Sequence, residues 1–420
     1  MPDRGAREFS VIVFGAGGYT GRRVAAYLAE RQAEDTSLTW APAGRDPARV
    51  AAALAADGIP TPAAEPIRAD VSDPASLAEM AARADVILNL VGPYTRLGEP
   101  VIKACVEAGT DYVDLTGEIP FARRMLDRYG EGAAAAGMRV VQVCGFEALP
   151  ADLAVLIAHE SAQERWGQEL AKVEAVTALR PPPGRMRASD SVTGGTAQSM
   201  AAVMADPDAR AVTDPAALIQ DPARAAEVRD ASPIGLLPRR ENGAVIAPMQ
   251  PAAFINPAVI QRTAALAGRA AFSYHEGVAI HGGTASLPAR LAVAGTLAGV
   301  QAGFGMLSRA GAGVRAPIAR GLGKLLPDSG YGPQPDRLND WSWTVRVRAT
   351  STGGESLSVL VEADGHPGYL TTARMLGEAG LLLGEAGATP DRTGFLTPAT
   401  ALGTDSAARL ERAGIRFRVE

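Results

Sequence analysis

The chain predicts a doubly wound α/β domain followed by a second α+β domain with a largely antiparallel sheet, and three observations carry that reading. Between residue 9 and about 150, short Val-, Ile- and Leu-rich runs alternate with helical patterns; runs without polar alternation suit parallel strands buried on both faces. Beyond residue 150 longer runs alternate apolar and polar residues, as antiparallel strands with one covered face do. At the start, the run "VIVF" (11–14) opens directly into glycines at 15, 17, 18 and 21 before a helical pattern begins.

After that first unit the strands are "LTWAPAGR" (38–45), "EPIRAD" (65–70), "ADVILNLVG" (84–92), "DYVDLTG" (111–117) and "MRVVQVCGF" (138–146). Helices are expected over 47–57, 74–83, 99–108 and 120–136; two start at Asp-Pro pairs (Asp46-Pro47, Asp73-Pro74), with Asp capping and Pro in the first turn. In the second half, 171–180, 270–279, 341–350 and 355–363 read as strands. Residues 205–250, with Asp-Pro at 206, 214 and 221, read as short capped helices, and 366–387 as an amphipathic helix. The closing stretch reads as helix plus short strand. The expected division is 1–150, 151–390 and a C-terminal segment 391–420 free to return to the first sheet.

Composition excludes several classes. At 420 residues and 47% hydrophobic content the chain can bury a large core. A net charge of −5 without a basic block gives no footprint for nucleic acid. Cys105 and Cys144 form no C-x-x-C pair and the four histidines are scattered, so no metal site is expected. No G-x-S-x-G occurs. The opening "MPDRGAREFS" lacks a signal-peptide apolar core, so the expected location is the cytoplasm. Eighteen uncharged residues, 291–308, lead into Arg309, Arg315, Arg320 and Lys324. A buried or lid helix, a membrane-surface helix and a true span all stay open there, and with them a peripheral membrane location.

Glycines at a strand-to-helix turn suit a dinucleotide: bare backbone approaches the pyrophosphate and helix amides point at its charge. Gly15 would make the turn, Gly17 and Gly18 would admit the phosphates, and Gly21 would let the helix pack closely; Ala16, Tyr19 and Thr20 complete the loop. A purely structural glycine turn is the alternative. The second strand ends Ala43-Gly44-Arg45, and a guanidinium there favours the extra phosphate of NADP(H) over NAD(H). Asp70, ending the third strand, and Val71 after it would lie beside the adenine. Val91, Gly92 and Pro93 fall at the crevice outside the strands' carboxyl ends. Tyr94 would point at the nicotinamide unless Pro93 is only a structural stop. Thr116 and Glu118 close the fifth strand at the same edge, where Glu118 serves either as a catalytic carboxylate or as a cap on the following helix. Cys144 reads as a buried filler, and "SVTGGTAQSM" (191–200) either presents amides to substrate or packs the domains.

The segments "GAGGYTGR" (15–22), "AGRDPARV" (43–50), "NLVGPYTRLGEPVIKACVEAGTDYVDLTGE" (89–118), "CGFEALPADL" (144–153), "TGGTAQSM" (193–200), "GYGP" (330–333), "HPGY" (366–369) and "LTPATALG" (396–403) follow one another in order. Together they resemble the saccharopine dehydrogenase-like reductases, and within them the actinobacterial trans-acting enoyl reductases. The resemblance implies a Rossmann domain, NADP(H), and reduction of a carbon–carbon double bond on a lipophilic, polyketide-type substrate, free or carrier-bound. Where relatives tend to read "GFDSIPSDL", this chain has Glu147, Ala148 and Ala151. An imine reductase, an amino-acid dehydrogenase with "PPPGRMR" (181–187) as its one cationic cluster, and a non-catalytic lipid-associated protein are the competing readings. A homodimer is left open. The candidate catalytic residues are Tyr94, Thr116 and Glu118.

Overall fold

The computed structural model describes residues 7–60, 64–183, 194–232, 237–241, 243–248, 254–281, 286–325 and 337–420. The first half runs β1 (Phe9–Phe14), α1 (Tyr19–Glu34), β2 (Trp40–Gly44), α2 (Pro47–Ala56), β3 (Ile67–Arg68), α3 (Pro74–Ala82), β4 (Ala84–Asn89), α4 (Tyr94–Ala108), β5 (Asp111–Asp114), α5 (Ile119–Ala135), β6 (Arg139–Val141) and α6 (Leu149–Trp166). The middle adds β7 (Leu170–Arg180), α7 (Gly194–Ala205), α8 (Pro222–Ala231), β8 (Arg239–Glu241), β9 (Ala244–Pro248), α9 (Asn256–Leu266), β10 (Ser273–Ile280), α10 (Leu287–Arg309) and α11 (Ala312–Leu325). The chain closes with β11 (Ser342–Ser351), β12 (Ser356–Asp364), α12 (Thr372–Gly384), β13 (Gly394–Leu396), α13 (Pro398–Leu402), α14 (Ala407–Arg412) and β14 (Ile415–Val419).

Two seven-stranded sheets result. The first, in the order β13-β6-β5-β4-β1-β2-β3, is parallel throughout and reverses its winding at β1, as doubly wound sheets do. Side chains alternating along β1 feed two cores: Val11 and Val13 pack with α1, α2 and α12, while Ile12 and Phe14 face α3, α4 and α5. The second sheet, β14-β12-β11-β7-β10-β9-β8, is antiparallel except where β10 runs parallel to β7. The fold is α/β, a Rossmann-type sheet joined to a mixed, mostly antiparallel one.

Local chemistry explains the element starts. Asp46 accepts from the Arg49 amide at 3.1 Å and Asp73 from that of Ser76 at 3.3 Å, each with Pro in the first turn. Asp221 holds the Ala223 and Arg224 amides the same way.

Several elements differ from their sequence patterns. Strands β5 and β6 stop at residues 114 and 141, short of 117 and 146, because the buried Asp114 carboxylate takes the Thr116 and Val143 amides (3.0 and 3.2 Å) in place of strand partners. The chain then turns at Val143, at φ 61°. Helix α4 begins at residue 94 and not 99, and includes Pro100, since a side chain from β5's edge caps it. The hairpin β8–β9 lies within 205–250, where only short helices were expected. Helix α12 is buried on nearly every face, not amphipathic. Its one acidic residue, Glu378, accepts from the Tyr27 hydroxyl at 2.5 Å and forms an ion pair with Arg31, whose Nε lies 2.9 Å away, so the polar letter marks a buried ion pair. Although it precedes residue 390, α12 covers the first sheet, with Gly377 against Tyr27 and Gly380 against Leu88. The uncharged segment 291–308 lies within α10 and is not a core helix: of its residues only Ala294, Gln301 and Ser308 are buried.

Candidate active site

The crevice forms at the carboxyl ends of β1, β4, β5 and β6. Gly15 sits at φ 91°, a region side chains rarely adopt, and a Cβ there would meet Val91 Cγ2 at 3.0 Å. A Cβ on Gly21 would collide with the Gly15 carbonyl oxygen and stand 2.9 Å from Ala16 Cα. Those two glycines let turn, helix and the β4 loop meet. By contrast, a Cβ on Gly17 would make only ordinary contacts, the nearest at 3.6 Å, so packing does not demand glycine there. The amino end of α1 begins at Gly18 with no side-chain cap and no acidic residue in its first turn. An uncapped helix amino end favours negative charge through its free amides and dipole, and a dinucleotide pyrophosphate fits that chemistry.

Arg45 is exposed at the tip of β2, just past Gly44, with no ion-pair or hydrogen-bond partner among the described residues. Asp70 stands near it. Its carboxyl is held below the usual range by the amide and hydroxyl of Ser72 (2.9 and 2.8 Å), with the Arg45 charge adding to the effect. Val71 follows it, half-buried. At the β4 loop the buried Asn89 braces the turn by accepting from the Val91 amide at 3.0 Å, while its Nδ2 donates to the Tyr112 hydroxyl at 2.9 Å. Gly92 is exposed and Pro93 half-exposed at the mouth.

The three candidate catalytic groups lie together beneath this edge, each already engaged. The Tyr94 ring is buried against Phe121; its hydroxyl donates to the Asn89 carbonyl (3.0 Å) and accepts from the Leu115 amide (3.3 Å). The Thr116 hydroxyl, fully buried, accepts from the Glu118 amide at 3.1 Å. The fully buried Glu118 caps α4, the helix before it and not the one after it. One oxygen accepts from the Tyr94 amide at 2.9 Å, the other from the Thr95 amide at 2.7 Å and the Thr95 hydroxyl. Ser199 of α7 adds a fourth donor at 2.7 Å. The "TGGTAQSM" segment thus docks a second-unit helix onto the first; residues 191–193 lie outside the described residues, as do 184–187 and 330–333 of two other motifs. Below, burial pushes the Asp114 carboxyl up to about 6 against its hydrogen bonds.

Two participants escaped the sequence reading. Glu147, just past β6, is half-exposed, and burial raises its carboxyl. Its carboxylate lies where a Cβ on Gly145 would be 2.8 Å away, beside Leu115 and Thr372, and it makes no ion pair or side-chain hydrogen bond with another described residue. The departure at residue 147 was visible in the sequence; its isolation was not. The other is "HPGY": His366 stacks on Tyr369 (centroids 4.5 Å), and Tyr369 meets Tyr19 of the glycine loop edge-on at 5.3 Å, with Arg23 lying 3.6 Å over the Tyr19 ring. Cys144 is fully buried. Among the described residues no cluster could hold a metal ion.

Residues 11–141 match the family profile of the saccharopine dehydrogenase NADP-binding domain. The chain is 36% identical over 419 residues to a trans-acting enoyl reductase of Mycobacterium ulcerans, covering 97% of each chain. It is 32% identical over 428 residues to a trans-acting enoyl reductase of Mycobacterium tuberculosis, with the same coverage. The fold is similar to that of saccharopine dehydrogenase (L-Glu forming) from Saccharomyces cerevisiae, at a TM-score of 0.52 and 14% identity over 98% of this chain and 99% of that one. Cradle, strand order and full-length likeness agree: the chain belongs to the saccharopine dehydrogenase-like family of NADP-dependent oxidoreductases, alongside the trans-acting enoyl reductases.

Proposed function

We propose that the protein reduces a conjugated carbon–carbon double bond of a lipophilic acyl substrate, free or carrier-bound, and that Glu147 protonates the α-carbon. Residues 15–21 would hold NADPH and Arg45 would meet its 2′-phosphate, and the cofactor would supply the hydride. Reduction at the β-carbon places negative charge on the substrate's carbonyl oxygen and then needs an acid at the α-carbon. The observation that carries the reading is the placement of Glu147: a carboxyl just past β6 beside Leu115 and Thr372, with no ion pair or side-chain hydrogen bond to another described residue, and with burial shifting it towards the protonated form. Tyr94, Thr116 and Glu118 act as positioning residues that fix the α4 amino end and the β5 edge. A substrate bearing carboxylates would call for available cations here. Arg23 is engaged over Tyr19 and Arg124 with Asp206 at 2.8 Å, so such a group would have to be met by Arg96, exposed in the first turn of α4.

Purified protein, NADPH and a long-chain enoyl thioester should show loss of NADPH absorbance. Glu147→Gln should lower kcat by about 100-fold or more while NADPH affinity stays unchanged. Undiminished turnover in that variant removes Glu147 from the chemistry, and absence of NADPH oxidation with any conjugated acyl substrate overturns the reaction class.

A further inference from the structure

An exposed apolar helix needs a reason, since burial is what stabilises such side chains. Helix α10 is 23 residues long, about 34 Å at 1.5 Å per residue. Its inner side is a narrow stripe, Ala294, Gln301 and Ser308, recurring every seven residues. Ala294 packs on Val245 and Ala247 of β9; further along, Phe304 packs on Phe254, with ring centroids 4.9 Å apart. Both ends are fastened: Arg290 donates to the Gly243 carbonyl at 2.7 Å, and Arg309 to the Thr213 hydroxyl at 3.1 Å. Leu291, Val293, Leu297, Val300 and Met306 are exposed; Val300 and Met306 reach 66% and 70%. Val314 and Ile318, one turn apart on α11, continue the exposed apolar set.

Charge selects the occupant. Residues 287–325 contain Arg290, Arg309, Arg315, Arg320 and Lys324 and no Asp or Glu, in a chain whose net charge is −5. Arg315 is taken up internally by the Met204 and Asp206 carbonyls, whereas Arg309 and Arg320 stay exposed beside the apolar side chains. A symmetric interface between two copies sets the same patch on both partners, so here it would bring cations together with no carboxylate of the segment to offset them. Beside Arg309 stand Arg123, Arg210 and Arg229 against Asp208 and Asp214, and apolar side chains flanked by such an excess of cations match a surface with acyl chains below and anionic headgroups above. A bilayer crossing is ruled out by the inner stripe, which lies on the protein along the length of the helix and is pinned at both ends.

We infer that α10 and α11 form a docking surface for an anionic lipid bilayer, with α10 lying in the plane of the interface. Full-length protein is tested by flotation with vesicles of phosphatidylcholine alone and vesicles enriched in phosphatidylglycerol. The expected result is co-flotation with the anionic vesicles, weaker capture by the neutral ones, and release as salt rises. Val300→Glu with Met306→Glu should lower partitioning at least tenfold, and Arg309→Glu with Arg320→Glu by roughly tenfold on anionic vesicles. NADPH titration should be unchanged in both variants, which shows that they fold and keeps this result separate from the reductase reading. No flotation with either vesicle, or binding that survives both pairs of substitutions, overturns the proposal. So does light scattering that shows a dimer dissociated by Val300→Glu with Met306→Glu, which would assign the face to a second copy.

Discussion

Glu118→Gln separates a positioning role from a chemical one. The buried carboxylate receives four donors, two of them backbone amides that cannot turn away. An amide in its place keeps one acceptor oxygen, and its NH2 must face either the Tyr94 or the Thr95 N–H. The hydroxyls of Thr95 and Ser199 can rotate to accept; the backbone N–H cannot. Leaving one buried donor unmatched costs about 1–3 kcal/mol. Loss of the negative charge at the α4 amino end adds roughly 0.3–1 kcal/mol. A total of about 1–4 kcal/mol lowers the melting temperature by several degrees. Thermal melting followed by circular dichroism, paired with steady-state kinetics, reads both quantities. The expected pattern is a clear fall in Tm with kcat reduced less than about tenfold. An unchanged Tm together with a kcat loss of about 100-fold or more would make Glu118 the proton donor and refute this reasoning.

Arg45→Ala should weaken NADPH binding by about 1.5–3 kcal/mol, roughly 10- to 100-fold, and leave NADH binding unchanged in a fluorescence titration; equal effects on both cofactors would remove Arg45 from the phosphate site. Stability should depend on pH through Asp152, whose buried carboxylate accepts from the Ala399 amide at 2.9 Å and from the Thr263 hydroxyl, and which burial pushes up from 3.8 to about 7. Because the folded pKa is raised, the folded chain holds a proton that the unfolded chain releases. Its stabilising contribution is therefore full below about pH 4 and lost as pH rises towards 7, on the order of 4 kcal/mol at most. Asp152→Asn should flatten part of that slope in urea midpoints measured against pH, while Asp114 and Glu147, shifted in the same direction, contribute to what remains. An unaltered slope would show that Asp152 does not titrate in this window.

The glycine cradle was legible because its cause is local: a strand, a turn that needs φ 91° at Gly15, and a helix too close to Gly15 for a side chain at residue 21. The Asp-Pro helix starts were legible for the same reason. Glu118 was not, because its partners lie 23, 24 and 81 positions away and only the folded sheet edge brings them together. Composition alone also misread α12, whose charged letters mark a buried ion pair with α1 and not a wet face. The tie between "HPGY" and the glycine loop belongs to the same class, resting on ring contacts between residues 350 positions apart.

The last thirty residues give one strand to each sheet: β13 pairs with β6, and β14 with β12. Reshuffling of gene segments meets an obstacle here. A breakpoint after β6 that imports a foreign second unit also discards β13 and α12, and so strips the donor sheet of an edge and of a covering layer. A stop at residue 390 bares the β6 edge and the β12 edge in the same product, and unpaired edges invite association with other chains. For the catalytic unit to acquire a new partner by recombination, two crossovers are needed, one on each side of the imported segment. Diversification in such a lineage proceeds more readily by substitution at the crevice and along the outer helices than by exchange of whole halves.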